Sequence, residues 1–179
     1  IILLIILSFV NVSSAVVRLV ENINDSGFGS LRYIASISQN GDTIRFAPSL
    51  LTAKVDSISL SKEIYFGSKS IVIKGLYTST DTLFISGAHT SRIFTFNRAG
   101  KVVLDSLVLI NGNGICADYS HSGDEYHGGA ILYFEGRDTL FINNSILRNN
   151  NGEKLLDLEI ADITALKEKN WQNPIEFNV

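Results

Sequence analysis

Apolar and polar positions alternate along most of the chain after residue 42. TIRF (43–46), SISL (57–60), SIVIKG (70–75), TLFISG (82–87), RIFTF (92–96), KVVLDSLVLING (101–112), GAILYFEG (129–136) and DTLFINNSILRNN (138–150) each carry the pattern. Ile44 and Phe46 fall on one side of their segment, as do Ile71 with Ile73 and Leu83 with Ile85. A period of two is that of a strand, whose successive side chains point to opposite faces. The segments recur about every 10–15 residues, divided by Gly, Asn, Ser and Asp, with no helical pattern between them. That excludes a doubly wound sheet, in which helices separate the strands.

One stretch repeats. VLDSLVLINGNG (103–114) superimposes on FINNSILRNNNG (141–152) at an offset of 38. Leu104 meets Ile142, Asp105 meets Asn143, Val108 meets Ile146, Leu109 meets Leu147, Asn111 meets Asn149 and Gly114 meets Gly152. The order is strand, small polar corner, strand, Asn/Gly turn. Such repeats mark stacked units that cannot bury their apolar faces alone. Asparagine suits the corners, since it tolerates the left-handed conformation and bonds the backbone locally. It can also form ladders between stacked units. A β-sandwich would also use short regular strands. Because the repeat keeps both strand and corner chemistry, it favours a solenoid.

Ahead of these strands, Ser30 reads as a helix N-cap. Leu31, Ile34, Ala35 and Ser38 then share one helical face, and Gly41 reads as the stop. A short helix there would cover the open end of the stack and protect its edge from pairing with another chain.

The first ten residues, IILLIILSFV, are apolar but too few to span a bilayer, which takes about 20. They fit the h-region of a secretory signal, with Ser13 and Ala15 as the small residues of a cleavage site. On that reading residues 1–15 are a signal remnant lacking its basic start, and the working protein begins near Val16. The chain contains no methionine, so it reads as processed or as a piece of a longer frame. Apolar residues make up 45% of the chain and charged residues 18%, which excludes a disordered segment. Fifteen basic and eighteen acidic residues leave a net charge of −3, against a nucleic-acid partner. A single cysteine, Cys116, excludes an internal disulfide framework, and its default reading is a small buried residue.

NDSGFGSLRYIASISQNGDTIRF (24–46) resembles the opening of exported right-handed parallel β-helix proteins, the pectin-lyase-like adhesins and polymorphic outer-membrane-protein repeats of bacteria. The matching motifs are Asn24 to Gly27, Gly29 to Arg32 and Gly41 to Ile44. The strand–Gly runs IVIKG, LFISG and VVLDSLVLING follow, and Gly128 to Ile131 resembles the restart after a loop. The resemblance spans about residues 16–152 and implies three parallel sheets wound around a dry apolar interior. The fold expected is therefore all-β: a right-handed parallel β-helix with a short N-terminal capping helix and an incomplete C-terminal end. Residues 153–179 read as an irregular tail, either a helix through Leu156, Ile160, Ile163 and Lys167 or a strand through Leu156, Leu158 and Ile160.

This fold hosts lyases, hydrolases, adhesins and inert stalks, so function has to be argued from the site. The outward positions Arg45, Lys74, Thr82, Phe84, Asp105, Leu132 and Phe134 hold no carboxylate cluster with a basic partner. A lyase would need a base, and often calcium on stacked carboxylates. A hydrolase would need paired carboxylates. Asp105 reads as a corner residue bonding its own turn. No catalytic residue, metal site or cofactor is expected. The densest polar stretch is CADYSHSGDEYHGG (116–129), which interrupts the strands and reads as a loop leaving the stack. Its candidate binding residues are Asp118, Tyr119, His121, Asp124, Glu125, Tyr126 and His127, although the His-x-x-Asp-Glu-x-His spacing matches no strong metal signature. His89 reads only as a turn residue. Asn24-Asp25-Ser26 and Asn143-Asn144-Ser145 match the glycosylation pattern, coincidentally if the source is bacterial.

The expected function is a non-catalytic secreted or surface-displayed module, presenting loops to a glycan or cell surface. Membrane contact would come only through a C-terminal anchor beyond this chain. The alternatives are a carbohydrate-active enzyme whose catalytic units lie past Val179, and a cap with first units that does nothing alone.

Overall fold

A computed structural model of the protein describes residues 14–52, 55–76, 81–114, 129–134, 136–151 and 156–158. Strand β1 (Val17–Val20) comes first, followed by helix α1 (Leu31–Ile37) and β2 (Thr43–Phe46). After a 3-10 turn at Pro48–Leu50 come β3 (Val55–Ser59), β4 (Ile64–Gly67), β5 (Ile71–Lys74), β6 (Thr82–Ser86) and β7 (Phe94–Asn97). The rest are β8 (Val102–Asp105), β9 (Val108–Ile110), β10 (Ile131–Phe134), β11 (Leu140–Asn143), β12 (Ile146–Arg148) and β13 (Leu156–Leu158).

The strands form three sheets, ordered β1-β2-β5-β8-β11, β3-β6-β9-β12 and β4-β7-β10-β13. From β2 onward the chain visits the three sheets in the same order four times. Every pairing is parallel, unlike the antiparallel sheets of a β-sandwich. The protein is thus mostly β, in parallel sheets with one helix among the described residues.

Alternation along strands such as β2, β5 and β8 sends every second side chain inward, where registered partners stack. Ile44, Ile73, Leu104 and Ile142 form one row, and Ile58, Ile85, Leu109 and Leu147 another. All eight are buried, and each contributes about 1.5–3 kcal/mol by leaving water. The third sheet supplies aromatic rings. Phe66 and Phe96 stack at 5.0 Å, and Phe96 meets Tyr133 at 6.4 Å. The Tyr133 hydroxyl reaches the Asp138 carbonyl oxygen at 2.8 Å, which satisfies it inside the core.

The repeat of offset 38 is a structural register: β8 pairs with β11 and β9 with β12 at the matched residues. Its corners match too. Ser106 and Asn144 have φ of 58° and 48°, and Asn111 and Asn149 have 55° and 56°. At the corner before them a Cβ on Gly75 would stand 1.8 Å from the Ser106 carbonyl oxygen, so only glycine fits. Two of the asparagines bond across units to other groups. Asn150 accepts from the Gly112 N–H and donates to the Leu109 carbonyl oxygen, and Asn144 donates to Asp105.

Helix α1 starts as expected, with the Ser30 hydroxyl accepting from the Tyr33 N–H. It stops earlier than Gly41. Ser38 turns extended, and both its N–H and its hydroxyl bond the Ile34 carbonyl oxygen. Gly41, at φ 89°, serves the turn into β2 instead. Leu31, Ile34 and Ala35 are buried, and the helix packs on β1 and β4 at the edges of two sheets. In the tail, Leu156–Leu158 forms a strand parallel to β10, while Ile160, Ile163 and Lys167 lie outside the described residues.

Candidate functional site

All seven candidate binding residues, Asp118, Tyr119, His121, Asp124, Glu125, Tyr126 and His127, lie outside the described residues, as does Cys116. The two stems that carry this stretch are described, and they meet. A Cβ on Gly112 would stand 2.1 Å from the Gly129 carbonyl oxygen, and one on Gly129 would stand 2.6 Å from the Asn151 carbonyl oxygen. The Gly114 N–H donates to that same Asn151 oxygen at 2.8 Å, and the Asn151 N–H returns to the Gly112 oxygen at 2.7 Å. Glycine at 112 and 129 is what lets three backbones converge. Gly112, Gly114, Gly129 and Asn151 thus close a backbone neck between β9 and β10, with residues 115–128 falling between its two stems in sequence.

Beside the neck lies a buried ion pair that the strand pattern did not reveal. Arg92 Nη1 is 3.1 Å from Glu63 Oε2, and the two side chains are 7% and 8% exposed. Thr95 donates its hydroxyl to the same Glu63 oxygen at 2.6 Å and accepts from Arg92 Nη1 at 3.3 Å. Thr95 alternates with the inward Phe94 and Phe96, so the group sits on the outer side of its sheet. Arg92 Nη2 points to the Gly114 carbonyl oxygen at 3.5 Å, which ties the pair to the outgoing stem. Two charges so deeply buried persist only when well bonded.

The pair also connects to the N-terminal cap. Arg32 Nη1 donates to the Glu63 carbonyl oxygen at 2.8 Å, and its Nη2 pairs with Asp25 at 2.7 Å. Asp25 in turn accepts from the Ser61 N–H and hydroxyl. Burial raises the Asp25 pKa, but the bonds from Ser61 and Arg32 outweigh that and hold it below its ordinary value. Asp25 and Arg32 thus form a clasp between the cap and the β3–β4 turn.

Of the expected outward positions, Arg45, Lys74 and Asp105 lie on the first sheet, Thr82 and Phe84 on β6, and Leu132 and Phe134 on β10. Leu19, Arg45, Lys74, Asp105 and Asn143 stand in register across five strands. Lys74 Nζ is 3.8 Å from Asp105 Oδ2. Asp105 also accepts from the Ser106 hydroxyl and from Asn144, so it holds its own corner. His89, at φ 59°, is a turn residue whose N–H donates to the Asn111 carbonyl oxygen. Ser145 of the second glycosylation pattern is buried, its hydroxyl donating to the Asn143 carbonyl oxygen and accepting from the Leu107 N–H.

Among the described residues no three His, Cys, Asp or Glu side chains gather as metal ligands, and no helix is long and apolar enough to cross a membrane. No family model, curated protein or solved structure matches the chain.

Proposed function

We propose that this chain is a right-handed parallel β-helix of the exported pectin-lyase-like adhesin type, and that it works as a non-catalytic surface or secreted module. The observation carrying this reading is the fixed three-sheet circuit, whose closed backbone neck at Gly112, Gly129 and Asn151 flanks the most polar stretch of the sequence. Parallel strands joined by crossovers wind right-handed in all but about 2% of cases, which supports the handedness. The opening clasp of Asp25, Arg32 and Ser61 gives the family motif a physical purpose.

Binding groups gather on loops held by rigid scaffolds. Residues 115–128 bring two tyrosines, two histidines and three acids to one short span. Their chemistry suits a glycan: rings for stacking on sugar faces, and polar groups for hydroxyls. Screening the full chain against a panel of glycans tests this. Binding lost in a Tyr119→Ala/Tyr126→Ala double variant, with the melting temperature unchanged, would support the loop. Identical retention by the double variant would remove it.

The Arg45–Lys74–Asp105 row favours a second reading, a polysaccharide lyase with an outward base. Unsaturated products from an acidic polysaccharide, abolished by Lys74→Ala, would establish that reading and overturn the first.

A further inference from the structure

The Val16 N–H donates to Asp42 Oδ1 at 2.9 Å. The Asp42 side chain is 1% exposed, and its other oxygen takes the Gln39 N–H and Arg18 Nε. Burial raises the Asp42 pKa, but these three donors outweigh it and hold the group below its ordinary value. A buried carboxylate, ionised at neutral pH, therefore sits where the chain enters its first strand. Two of its three donors, the Val16 and Gln39 N–H groups, are neutral peptides. Ser14 and Ala15, just before it, are exposed, and no described strand or helix precedes β1. Ser13 and Ala15 are the small residues, three and one places before the 15–16 bond, that an export endopeptidase selects.

We infer that the Ala15–Val16 peptide bond is a processing site, and that the α-ammonium released on Val16 takes over the Asp42 Oδ1 contact as an ion pair fastening β1 to its sheet. The cut rests on the export reading proposed above; the ion pair does not. Water adds across the C–N bond, leaving a carboxylate on Ala15 and an amine on Val16, which holds its proton at neutral pH. The nitrogen is already in place. The Val16 carbonyl oxygen accepts from the Thr43 N–H at 2.9 Å, so the register of β1 and β2 needs no change. A charged donor makes a bond roughly twice as strong as a neutral one.

The charged groups bonded at this carboxylate are Asp42 itself and Arg18 from β1; α1 and its connection contribute the neutral Gln39 peptide. Lys69, from the β4–β5 connection, reaches the Ala35 carbonyl oxygen instead. The paired amine has a raised pKa. Its contribution is complete below the ordinary amine range of about 7.7–8.0 and is lost as pH rises through the higher folded value.

Two measurements test this. The full chain, given an initiator Met and a basic leader, is expressed in a secreting bacterium and the exported product is sequenced from its amino end. A start at Val16 is expected; an uncut product, or any other start, overturns the processing site. Separately, melting is followed from pH 7 to 10 for the full chain and for a form trimmed to a free Val16, which removes no described strand or helix. The trimmed form is expected to lose about 2–4 °C more across that range. Asp42→Asn, or acetylation of the Val16 amine should that variant not fold, is expected to erase the difference. Coincident profiles would overturn the ion pair while leaving export standing. A chain that is never exported would defeat the export reading, and the melts would still decide the pair.

Discussion

Arg92 and Glu63 illustrate how much a single buried contact depends on its partner. Removing one member strands the other without water, at a cost of about 3–5 kcal/mol, whereas replacing both with apolar groups costs far less. Arg92→Leu is therefore expected to lower unfolding free energy steeply, and Glu63→Leu/Arg92→Leu to recover most of the loss. Denaturant titration of the three proteins checks this, and a double variant no better than the single would contradict the buried pair. Two hydrogen-bonded acids, Asp25 of the clasp and Asp42 just ahead of β2, give a second expectation. Asp25 and Asp42 both titrate below their ordinary value. A depressed carboxylate stabilises the fold above its unfolded pKa and loses that contribution as pH falls through the folded value. Stability should thus fall as the pH drops from roughly 4 downward, and Asp25→Asn should flatten part of that slope. An unchanged acid profile in Asp25→Asn would remove Asp25 from the account.

The elements differ in how openly the sequence declares them. β2, β5 and β8 alternate cleanly between buried and outward positions, so a period of two found them. β4 escaped notice although its burial alternates, because its outward residue Tyr65 is itself largely apolar, so IYFG shows no polar position between Ile64 and Phe66. The helix start was legible because the Ser30 hydroxyl bonds within its own turn. Ser30→Ala is expected to cost about 1 kcal/mol, measured by thermal melting; a neutral result would mean that packing of Leu31 and Ile34 alone holds α1. Its end was misjudged because Ser38 caps it through an ordinary backbone conformation that needs no glycine. The buried ion pair could not be read at all. Glu63 and Arg92 lie 29 residues apart and meet only because β4 and β7 pair in register. The one trace in sequence is that each is a charged residue just ahead of an apolar strand.

At the scale of the molecule, the neck predicts tolerance. Because Gly112 and Gly129 already touch, replacing residues 115–128 with two glycines closes a shorter loop at no greater entropic cost. The excised protein is expected to melt cooperatively within a few degrees of the parent while losing any glycan binding. Loss of the cooperative transition would mean that the loop helps hold the sheets together. The returns to the first sheet already vary in this way. β2, β5, β8 and β11 begin at residues 43, 71, 102 and 140, so successive circuits take 28, 31 and 38 residues while the pairing stays in step. What recurs in this chain is a spatial pitch rather than a sequence interval. Length can be added or removed at the corners like slack between fixed posts, and natural variants should gain and lose residues there without any inward side chain changing its neighbour above or below.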